Sequence, residues 1–283
     1  MISPKSPKLY QSSVHQSATA DATKVFACKP TALHAHPTII VNAIPYKDTI
    51  RIAFPKRLEI RFSQMKDRRR ARELAAEFIQ KGDPTGWFEA LYREAEEGKS
   101  TVPWVDYHPT PPLVGFWILH PQETTGKSAL VVGSGFGDDA EQLAAWGFRV
   151  TAFDISETAI RASRKRFPHS TVEYHAANLL APPPHWRGQF DFVFEANTLQ
   201  VLPASLRPPA TKNIASFLRP GGLLLVVARG REPSDPEGQM PWPLTRSEIS
   251  AFAVHGLEEL LFDIIPDLDE PGVRRFRALF RLP

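Results

Sequence analysis

The chain has 283 residues, of which 42% are hydrophobic and 23% are charged, values that are ordinary for a water-soluble globular protein. No apolar run approaches the roughly 20 residues that a membrane-spanning helix requires, so the sequence predicts no membrane partner. The single cysteine, Cys28, excludes an internal disulfide, and neither it nor the histidines have the neighbours expected of a metal site.

The charge is unevenly distributed along the chain, which changes the meaning of the net charge of +3. Residues 1–64 carry nine basic and three acidic side chains, whereas residues 65–283 carry 25 basic and 28 acidic ones. A basic protein often binds nucleic acid, but here the part that is predicted to fold is slightly acidic. We therefore predict a small-molecule substrate and no nucleic-acid partner.

Residues 1–64 differ from the rest, since they contain no glycine, eleven serine or threonine residues and six prolines. This composition fits a transit peptide, a disordered tail or a mis-assigned start of the chain. The mis-assigned start is favoured because a well-patterned helix begins directly after Met65. We expect a single monomeric domain over residues 65–283, with a helical lid at about 65–120. Its expected location is the cytoplasm, unless the extension is a genuine transit peptide.

The lid is predicted to contain two amphipathic helices between residues 66 and 95, because apolar residues recur there at helical spacing. The proline-rich residues 102–117 are predicted to form an extended, ordered loop. Three aromatic residues in this loop, Trp104, Tyr107 and Trp117, would be costly to leave in water. They form either the edge of the core or the wall of a ligand pocket.

From residue 128 onward, short apolar runs alternate with helical segments. Such alternation predicts an α/β fold with a parallel sheet and helices on both of its faces. The last two runs have no helix between them, so we expect them to form an antiparallel hairpin at one edge. The predicted strands are residues 129–132, 148–153, 171–175, 190–195, 223–228, 257–264 and 273–280.

The first of these strands is followed at once by a glycine-rich turn. Gly133, Ser134 and Gly135 place glycines at alternate positions, which allows a tight turn and a close approach of a ligand to the backbone. Asp154 stands at the end of the second strand, 21 residues beyond Gly133. Nucleoside-binding folds place at this spacing the carboxylate that holds the ribose hydroxyls. The sequence therefore predicts a ligand that contains a nucleoside.

Two classes of nucleoside ligand compete for this turn. A dinucleotide requires the spacing Gly-x-Gly-x-x-Gly and a helix N-terminus that is free to meet pyrophosphate. Here the third glycine, Gly137, comes one residue early, and Asp138 and Asp139 stand at the start of the helix. Carboxylates repel pyrophosphate, so a cofactor with a positive centre and no phosphates fits better. S-adenosylmethionine is such a cofactor.

The chain carries, in this order, the motifs VVGSGFG, FDIS, AANLL, FDFVFEANTLQVLP and LRPGGLLLVVARG. Their order resembles that of class I S-adenosylmethionine-dependent methyltransferases, over roughly residues 87–283. Two earlier segments, WFEALY and VPWVDYHPTPPL, resemble the branch that holds the thiopurine and halide/thiol methyltransferases. The resemblance implies an enzyme with a Rossmann-like sheet of seven strands, mostly parallel, and with S-adenosyl-L-methionine as its cofactor.

The resemblance also implies which residues hold the cofactor. Gly133, Ser134 and Gly135 would pass under its amino-acid part, and Asp154 would accept both ribose hydroxyls. The other implied contacts are Ile155, Asn178 and Leu179 at the adenine, Glu195 near the methionine end and Trp104 closing over the cofactor from the lid. Asn178 stands where the family usually has Asp, and Ala196 stands where thiopurine enzymes often have Arg.

The acceptor of the methyl group is expected between the lid and the loop of residues 229–244. Tyr107 and His108 would meet it from the lid, and Arg229 and Trp242 from the loop, which suggests a small, partly apolar molecule. A thiolate or halide acceptor requires no general base, so these soft nucleophiles are favoured. An oxygen or nitrogen acceptor often requires a base, but we expect structural roles for the lid residues and assign no catalytic residue.

Three other functions compete with this prediction. Methyl transfer to an oxygen or nitrogen of a small metabolite differs only in the acceptor. A nucleotide-linked oxidoreductase is disfavoured by the glycine spacing, and a non-catalytic module would bind the cofactor without turnover. The sequence EANT after the fourth strand differs from the Asn/Asp-Pro-Pro-Tyr/Phe motif of base-modifying enzymes, which argues against methylation of nucleic acid.

Overall fold

The computed structural model describes residues 45–46, 49–50, 68–267 and 270–283. The chain divides into two compact units, Met1–Ile60 and Arg61–Pro283. In the first unit, strands β1 (Pro45–Tyr46) and β2 (Thr49–Ile50) pair in antiparallel fashion. Apart from these two strands, the predictions for residues 1–64 and for a start at Met65 lie outside the described residues.

The described part of the second unit contains seven α-helices and seven strands. The helices are α1 (Arg69–Gln80), α2 (Gly86–Glu96), α3 (Pro111–Leu119), α4 (Asp138–Ala145), α5 (Glu157–Arg166), α6 (Arg207–Phe217) and α7 (Arg246–Ser250). The strands are β3 (Ser128–Val132), β4 (Arg149–Asp154), β5 (Glu173–Ala176), β6 (Phe190–Ala196), β7 (Leu218–Gly230), β8 (Glu258–Pro266) and β9 (Arg274–Arg281).

The strands of this unit form one sheet in the order β5-β4-β3-β6-β7-β9-β8. The first five are parallel, whereas β9 is antiparallel to both of its neighbours, β7 and β8. This arrangement confirms the predicted seven-stranded, Rossmann-like fold with its C-terminal antiparallel hairpin. Because the strand order reverses between β3 and β6, a crevice is expected at the carboxyl ends of these two strands.

The central strands are buried on both faces because successive side chains enter two separate hydrophobic clusters. In β3, Leu130 and Val132 belong to the cluster on one face of the sheet, and Ala129 and Val131 belong to the other. The same alternation continues through residues 224–227 of β7. This two-sided burial explains why the strands are continuous apolar runs in the sequence.

The prediction of an extended loop over residues 102–117 is wrong in its second half, because α3 begins at Pro111. Pro111 and Pro112 occupy the first turn of this helix, where the missing N–H of proline costs no intrahelical hydrogen bond. Trp117 on α3 packs against the sheet and lies 5.2 Å from Trp146, measured between ring centroids. Of the two alternatives for the aromatic residues, Trp117 therefore belongs to the core.

Candidate functional site

A cleft lies at the carboxyl ends of the parallel strands, with a volume of about 1110 Å³ that includes the solvent-filled space at its opening. This is the position that the strand order predicts for a ligand site. The sheet contributes one wall and the lid helices contribute the facing wall. The two walls include Gly133 and Asp154 from the sheet, and Phe88, Tyr92 and Trp104 from the lid.

The glycine turn after β3 has a backbone conformation that other residues rarely adopt. The φ angle is +63° at Gly133 and +53° at Gly135. A Cβ atom at Gly133 would lie 2.3 Å from Oγ1 of Thr198, so a larger residue does not fit there. The hydroxyl of Ser134 is buried and has no hydrogen-bond partner in the part of the chain that the structure describes. Of the three residues of this turn that were predicted to contact the cofactor, Gly133 lines the cleft, whereas Ser134 and Gly135 do not.

Asp154 is fixed beside this turn by backbone hydrogen bonds. Its Oδ2 accepts the N–H of Gly135 at 2.9 Å, and its Oδ1 accepts the N–H of Ser156 at 2.9 Å. Burial raises the pKa of Asp154, although these N–H donors act in the opposite direction. Each oxygen retains a further lone pair, and the residue lines the cleft. Asp154 can therefore accept hydroxyl hydrogens of a ligand without losing its own support.

The residues predicted to border the adenine also line this cleft. Ile155 follows Asp154, while Asn178 and Leu179 follow β5, so neighbouring parallel strands bring them to one wall. Oδ1 of Asn178 already accepts the N–H of Leu180 at 2.8 Å. The oxygen that was predicted to accept from the adenine amino group therefore also holds the loop.

Trp104 lines the cleft within an aromatic cluster of the lid. Its indole N–H donates to the hydroxyl of Tyr92 at 2.9 Å, and its ring lies edge-on to Trp87 at 6.0 Å. Phe88 and Tyr92 line the cleft as well, although we did not predict them from the sequence. Their spacing of four residues on α2 places both on one face of the helix. This spacing is the feature of the sequence from which the two residues could have been predicted together.

Glu195 lies behind the cleft and does not line it. Its Oε1 accepts the N–H groups of Thr198 at 2.7 Å and Leu199 at 3.0 Å, and its side chain is fully buried. Burial raises the pKa of Glu195 to about 7 despite these two donors. The carboxyl group thus shapes the turn after β6, and this turn brings Asn197 and Thr198 to the cleft.

Three of the four residues predicted to meet the acceptor lie outside the cleft lining. Tyr107 is 67% exposed, and its ring lies 5.0 Å from the guanidinium of Arg166. His108 interacts through Nδ1 with the carbonyl of Pro109, and Trp242 packs against the cluster of α1 and α2. The fourth residue, Arg229, lines the cleft.

Asp138 and Asp139 do not stand beside the ligand as predicted, because both carboxylates serve the fold. Asp138 accepts two hydrogen bonds from Arg166, at 2.8 and 2.9 Å. Asp139 accepts the backbone N–H and the hydroxyl of Thr110, at 2.6 and 2.8 Å. Neither side chain lines the cleft, so the sign of their charge does not select the ligand.

Two further arginines line the cleft that we did not predict from the sequence. Arg68 stands directly before α1, and Arg275 lies on β9. They are separated by about two hundred residues, and only the insertion of β9 beside β7 brings them together with Arg229. No local pattern in the sequence reports such a convergence.

Comparison with known proteins identifies the fold. Residues 129–222 match a family model described as "Methyltransferase domain". Residues 129–222, about a third of the chain, are therefore similar to a methyltransferase domain. The predicted superfamily is therefore confirmed, while the thiopurine and halide/thiol branch stays a prediction.

Curated relatives of this methyltransferase domain differ in their acceptors. The chain is 33% identical over 117 residues to a ubiquinone biosynthesis O-methyltransferase of Aromatoleum aromaticum, covering 41% of this chain and 49% of the relative. It is 26% identical over 159 residues to probable thiol methyltransferase 2 of Arabidopsis thaliana, covering 56% and 67%. The chain thus spans about half the length of the first relative and two thirds of the second.

Solved structures share the fold at low sequence identity. The 1,6-didemethyltoxoflavin-N1-methyltransferase of Burkholderia thailandensis, solved with S-adenosylhomocysteine, has a TM-score of 0.56 and 16% identity, covering 75% of this chain and 90% of its own. The N-methyltransferase NodS of Bradyrhizobium japonicum, also solved with S-adenosylhomocysteine, has a TM-score of 0.53 and 21% identity, covering 69% and 99%.

The described residues also give two results that bear on membrane and metal binding. Among them, no helix is both long enough and apolar enough to cross a membrane. Within the same ranges, no group of three or more His, Cys, Asp or Glu side chains is arranged to hold a metal ion.

Proposed function

We propose that this chain transfers a methyl group from S-adenosylmethionine to a small molecule. One observation carries the proposal, namely the hydrogen bond from the backbone of Gly135 to the carboxylate of Asp154. It holds the glycine turn beside Asp154, the acid that we propose to bind the ribose, inside the segment that matches the methyltransferase family. Gly133 lines the cleft and has no room for a Cβ atom, which fits a ligand held close to the backbone.

When bound, S-adenosylmethionine would supply an electrophilic methyl group and a sulfur that leaves with the carbon–sulfur electron pair. The residues of the chain then act by alignment and by exclusion of water. Asp154 and the glycine turn would hold the donor. Trp104 and Tyr92 would close the facing wall of the cleft.

We propose a soft nucleophile, such as a thiolate or halide, as the acceptor. The described lining of the cleft contains no histidine, lysine, cysteine or glutamate, and of its two aspartates, Asp106 and Asp154, the second is proposed to hold the donor. A thiolate or a halide ion transfers no proton during the reaction, so this lining is sufficient for it. The likeness to a probable thiol methyltransferase supports the same choice.

Methyl transfer to an oxygen is the second candidate, and one acidic side chain favours it. Asp106 lines the cleft and could accept the proton of a hydroxyl group. Relatives named ubiquinone biosynthesis O-methyltransferases support this alternative. If it holds, Asp106→Asn abolishes transfer to a phenol; if a thiolate is the acceptor, the variant retains transfer to thiols.

We also propose that α1, α2 and residues 102–110 form a lid over the donor. Phe88 and Tyr92 of α2 line the cleft, and Glu89 on the same helix holds the start of α5. A cytoplasmic location and a monomeric state stay predictions.

An acceptor panel with radiolabelled S-adenosylmethionine tests the proposal. The panel contains a thiol, iodide, a phenol and an amine, each offered to the full chain at the same concentration. We expect labelled product from the thiol or from iodide. Binding of S-adenosylhomocysteine without transfer to any member would instead indicate a non-catalytic module.

A further inference from the structure

Three arginines from distant parts of the chain line the acceptor side of the cleft. Arg68 precedes α1, Arg229 lies near the end of β7 and Arg275 lies on β9. Their side chains are only 15%, 12% and 16% exposed. Arg229 and Arg275 are direct partners in the antiparallel register of β7 and β9. Like charges directly opposite each other on neighbouring strands destabilise a sheet unless a nearby opposite charge compensates them.

Among the described residues, Arg68 and Arg229 share one carboxylate. Arg68 donates to both oxygens of Glu270, and Nη2 of Arg229 contacts Oε1 of the same residue. Burial alone would raise the pKa of Glu270, but the two guanidinium groups outweigh it and hold the pKa at about 2. The shared carboxylate therefore fixes the two guanidinium groups side by side.

Arg229 is held in place by this shared carboxylate, because its Nη2 is buried and contacts Oε1 of Glu270. The side chain of Arg229 lines the cleft, so it presents positive charge to a ligand there.

Arg275 is fixed beside this group by two neighbours. Its Nε donates to Asp267 at 2.8 Å, and its Nη1 donates to Oδ1 of Asn197 at 2.8 Å. Asp267 is almost fully buried, and neither Asp267 nor Glu270 lines the cleft. The carboxylates thus stand behind the arginines, so that the cleft meets guanidinium groups on this side.

The wall beside the arginines is apolar. Ala71, Val201 and Met240 line the cleft and pack in one cluster with Phe88 and Trp104. An acceptor that fills this side therefore meets an apolar surface and a group of arginines at once. A molecule with an apolar body and one negative charge is complementary to both.

We propose that the methyl acceptor is an organic carboxylate whose anionic group is bound by Arg68, Arg229 and Arg275. The group of arginines attracts an anion, and the planar fork of arginine matches the two oxygens of a carboxylate. This inference rests on the proposed methyltransferase function of the same cleft. It adds the charge and chemical class of the acceptor, which neither the glycine turn nor Asp154 determines.

Matched probe pairs test the inference on the full chain. Calorimetry with S-adenosylhomocysteine first establishes the donor site. Methyl transfer is then measured for 3-mercaptopropionate against 3-mercaptopropanamide, and for 4-hydroxybenzoate against 4-hydroxybenzamide. In whichever pair reacts, we expect kcat/KM to be at least about tenfold higher for the carboxylate than for the amide, mainly because the carboxylate has the lower KM. A difference of this size corresponds to one charged hydrogen bond, which the amide cannot form.

Variants of the arginines provide the second arm. Arg229→Gln and Arg275→Gln are expected to reduce the preference for the carboxylate to less than about threefold, while Arg275→Lys restores part of it. Affinity for S-adenosylhomocysteine should stay within about twofold. Arg274→Gln is the matched control, because Arg274 is the neighbour of Arg275 on β9, pairs with Glu232 and does not line the cleft.

The outcomes separate the two proposals. Equal kcat/KM for carboxylate and amide, with S-adenosylhomocysteine bound normally, overturns the inference and leaves the methyltransferase function intact. Turnover of iodide without turnover of any carboxylate probe overturns it as well. Failure of the wild-type chain to bind S-adenosylhomocysteine removes the proposed function itself. If an arginine variant does not fold, the wild-type probe pairs still decide the question.

Discussion

Asp154 is held in place by the protein's own backbone. The N–H groups of Gly135 and Ser156 fix one oxygen each, and the side chain is only 6% exposed. Because Asp154 is already in position, ligand binding does not have to order its side chain and loses no free energy to that ordering. The cofactor affinity should therefore depend strongly on this one residue.

We expect Asp154→Ala to lower the affinity for S-adenosylhomocysteine by at least about tenfold, or roughly 1.4 kcal/mol, in a calorimetric titration. Asp191→Ala is the matched control. Asp191 also accepts hydrogen bonds from a backbone N–H and a hydroxyl, both of Ser128. It lies at the amino end of β6, whereas the cleft lies at the carboxyl ends of the parallel strands. An equal loss of affinity in both variants would contradict a direct role for Asp154.

Glu195 makes the stability of the chain depend on pH. Its pKa in the folded protein is raised from 4.5 to about 7, so between these values the folded state holds a proton that the unfolded state has lost. The contribution of this group to the free energy of unfolding therefore falls as the pH rises from 4.5 to 7, and it is constant above 7.

Glu195→Gln should remove this component, since the amide oxygen can still accept the N–H groups of Thr198 and Leu199. Between pH 5 and pH 8, the stability of the variant relative to the wild type should rise by about 2 kcal/mol. Urea unfolding at the two pH values measures this difference. Parallel pH profiles for the two proteins would show that Glu195 is ionised in the folded state.

The glycine turn is the element on which the cleft is built. Its backbone requires positive φ, and at Gly133 the space that a side chain needs is occupied by Thr198. A substitution there meets a conformational cost and a steric clash together, and these two effects can be separated.

Gly133→Ala is expected to destabilise the chain by more than about 2 kcal/mol and to abolish measurable binding of S-adenosylhomocysteine. Gly126→Ala is the control for conformation alone, because Gly126 has φ +75° and no atom within 4 Å of its would-be Cβ. The control should cost only about 1–2 kcal/mol and should bind normally. Thermal unfolding and calorimetry report both quantities.

Glu89 joins helix α2 to the start of helix α5. This carboxylate accepts the hydroxyls of Ser156 at 2.6 Å and Thr158 at 2.7 Å, at the start of α5. Both hydroxyl residues are buried, so removing their acceptor leaves donors without a partner. A second contact between the same two helices, Glu96 with Arg161, is exposed to solvent.

We expect Glu89→Ala to lower the free energy of unfolding by about 2 kcal/mol. Glu96→Ala should lower it by less than about 1 kcal/mol, because exposed ion pairs contribute little. Chemical denaturation measures both. A larger loss in the Glu96 variant would mean that the surface pair, and not Glu89, joins the lid to α5.

Elements with a strong local signal were predicted well from the sequence. The apolar run before Gly133 and the cap at Ser156 gave a strand and a helix where the structure has them, since each depends on neighbouring residues alone. The helix α3 was missed because Pro111 and Pro112 were interpreted as loop residues. A pair of prolines fits both the first turn of a helix and an extended loop, so the local sequence does not separate the two. The burial of Trp117 against the sheet accompanies the helix in the structure.

At the scale of the whole molecule, the charges of the cleft could not be predicted. The sequence indicated Arg229 through its loop, but Arg68 and Arg275 join it only through the register of β9 against β7. Asp138 was predicted to face the ligand, and this prediction is wrong. Its charge is neutralised by Arg166, which lies at the end of another helix. In both cases the pairing partner is distant in the chain.

Titration of the full chain with S-adenosylhomocysteine, with NAD in a parallel cell, decides whether the cleft is a site for S-adenosylmethionine. We expect one-site binding of S-adenosylhomocysteine with a Kd on the order of 10 µM, or about −7 kcal/mol, and no binding of NAD. A folded protein that gives no heat with S-adenosylhomocysteine at about 1 mM, or that binds NAD more tightly, would contradict it.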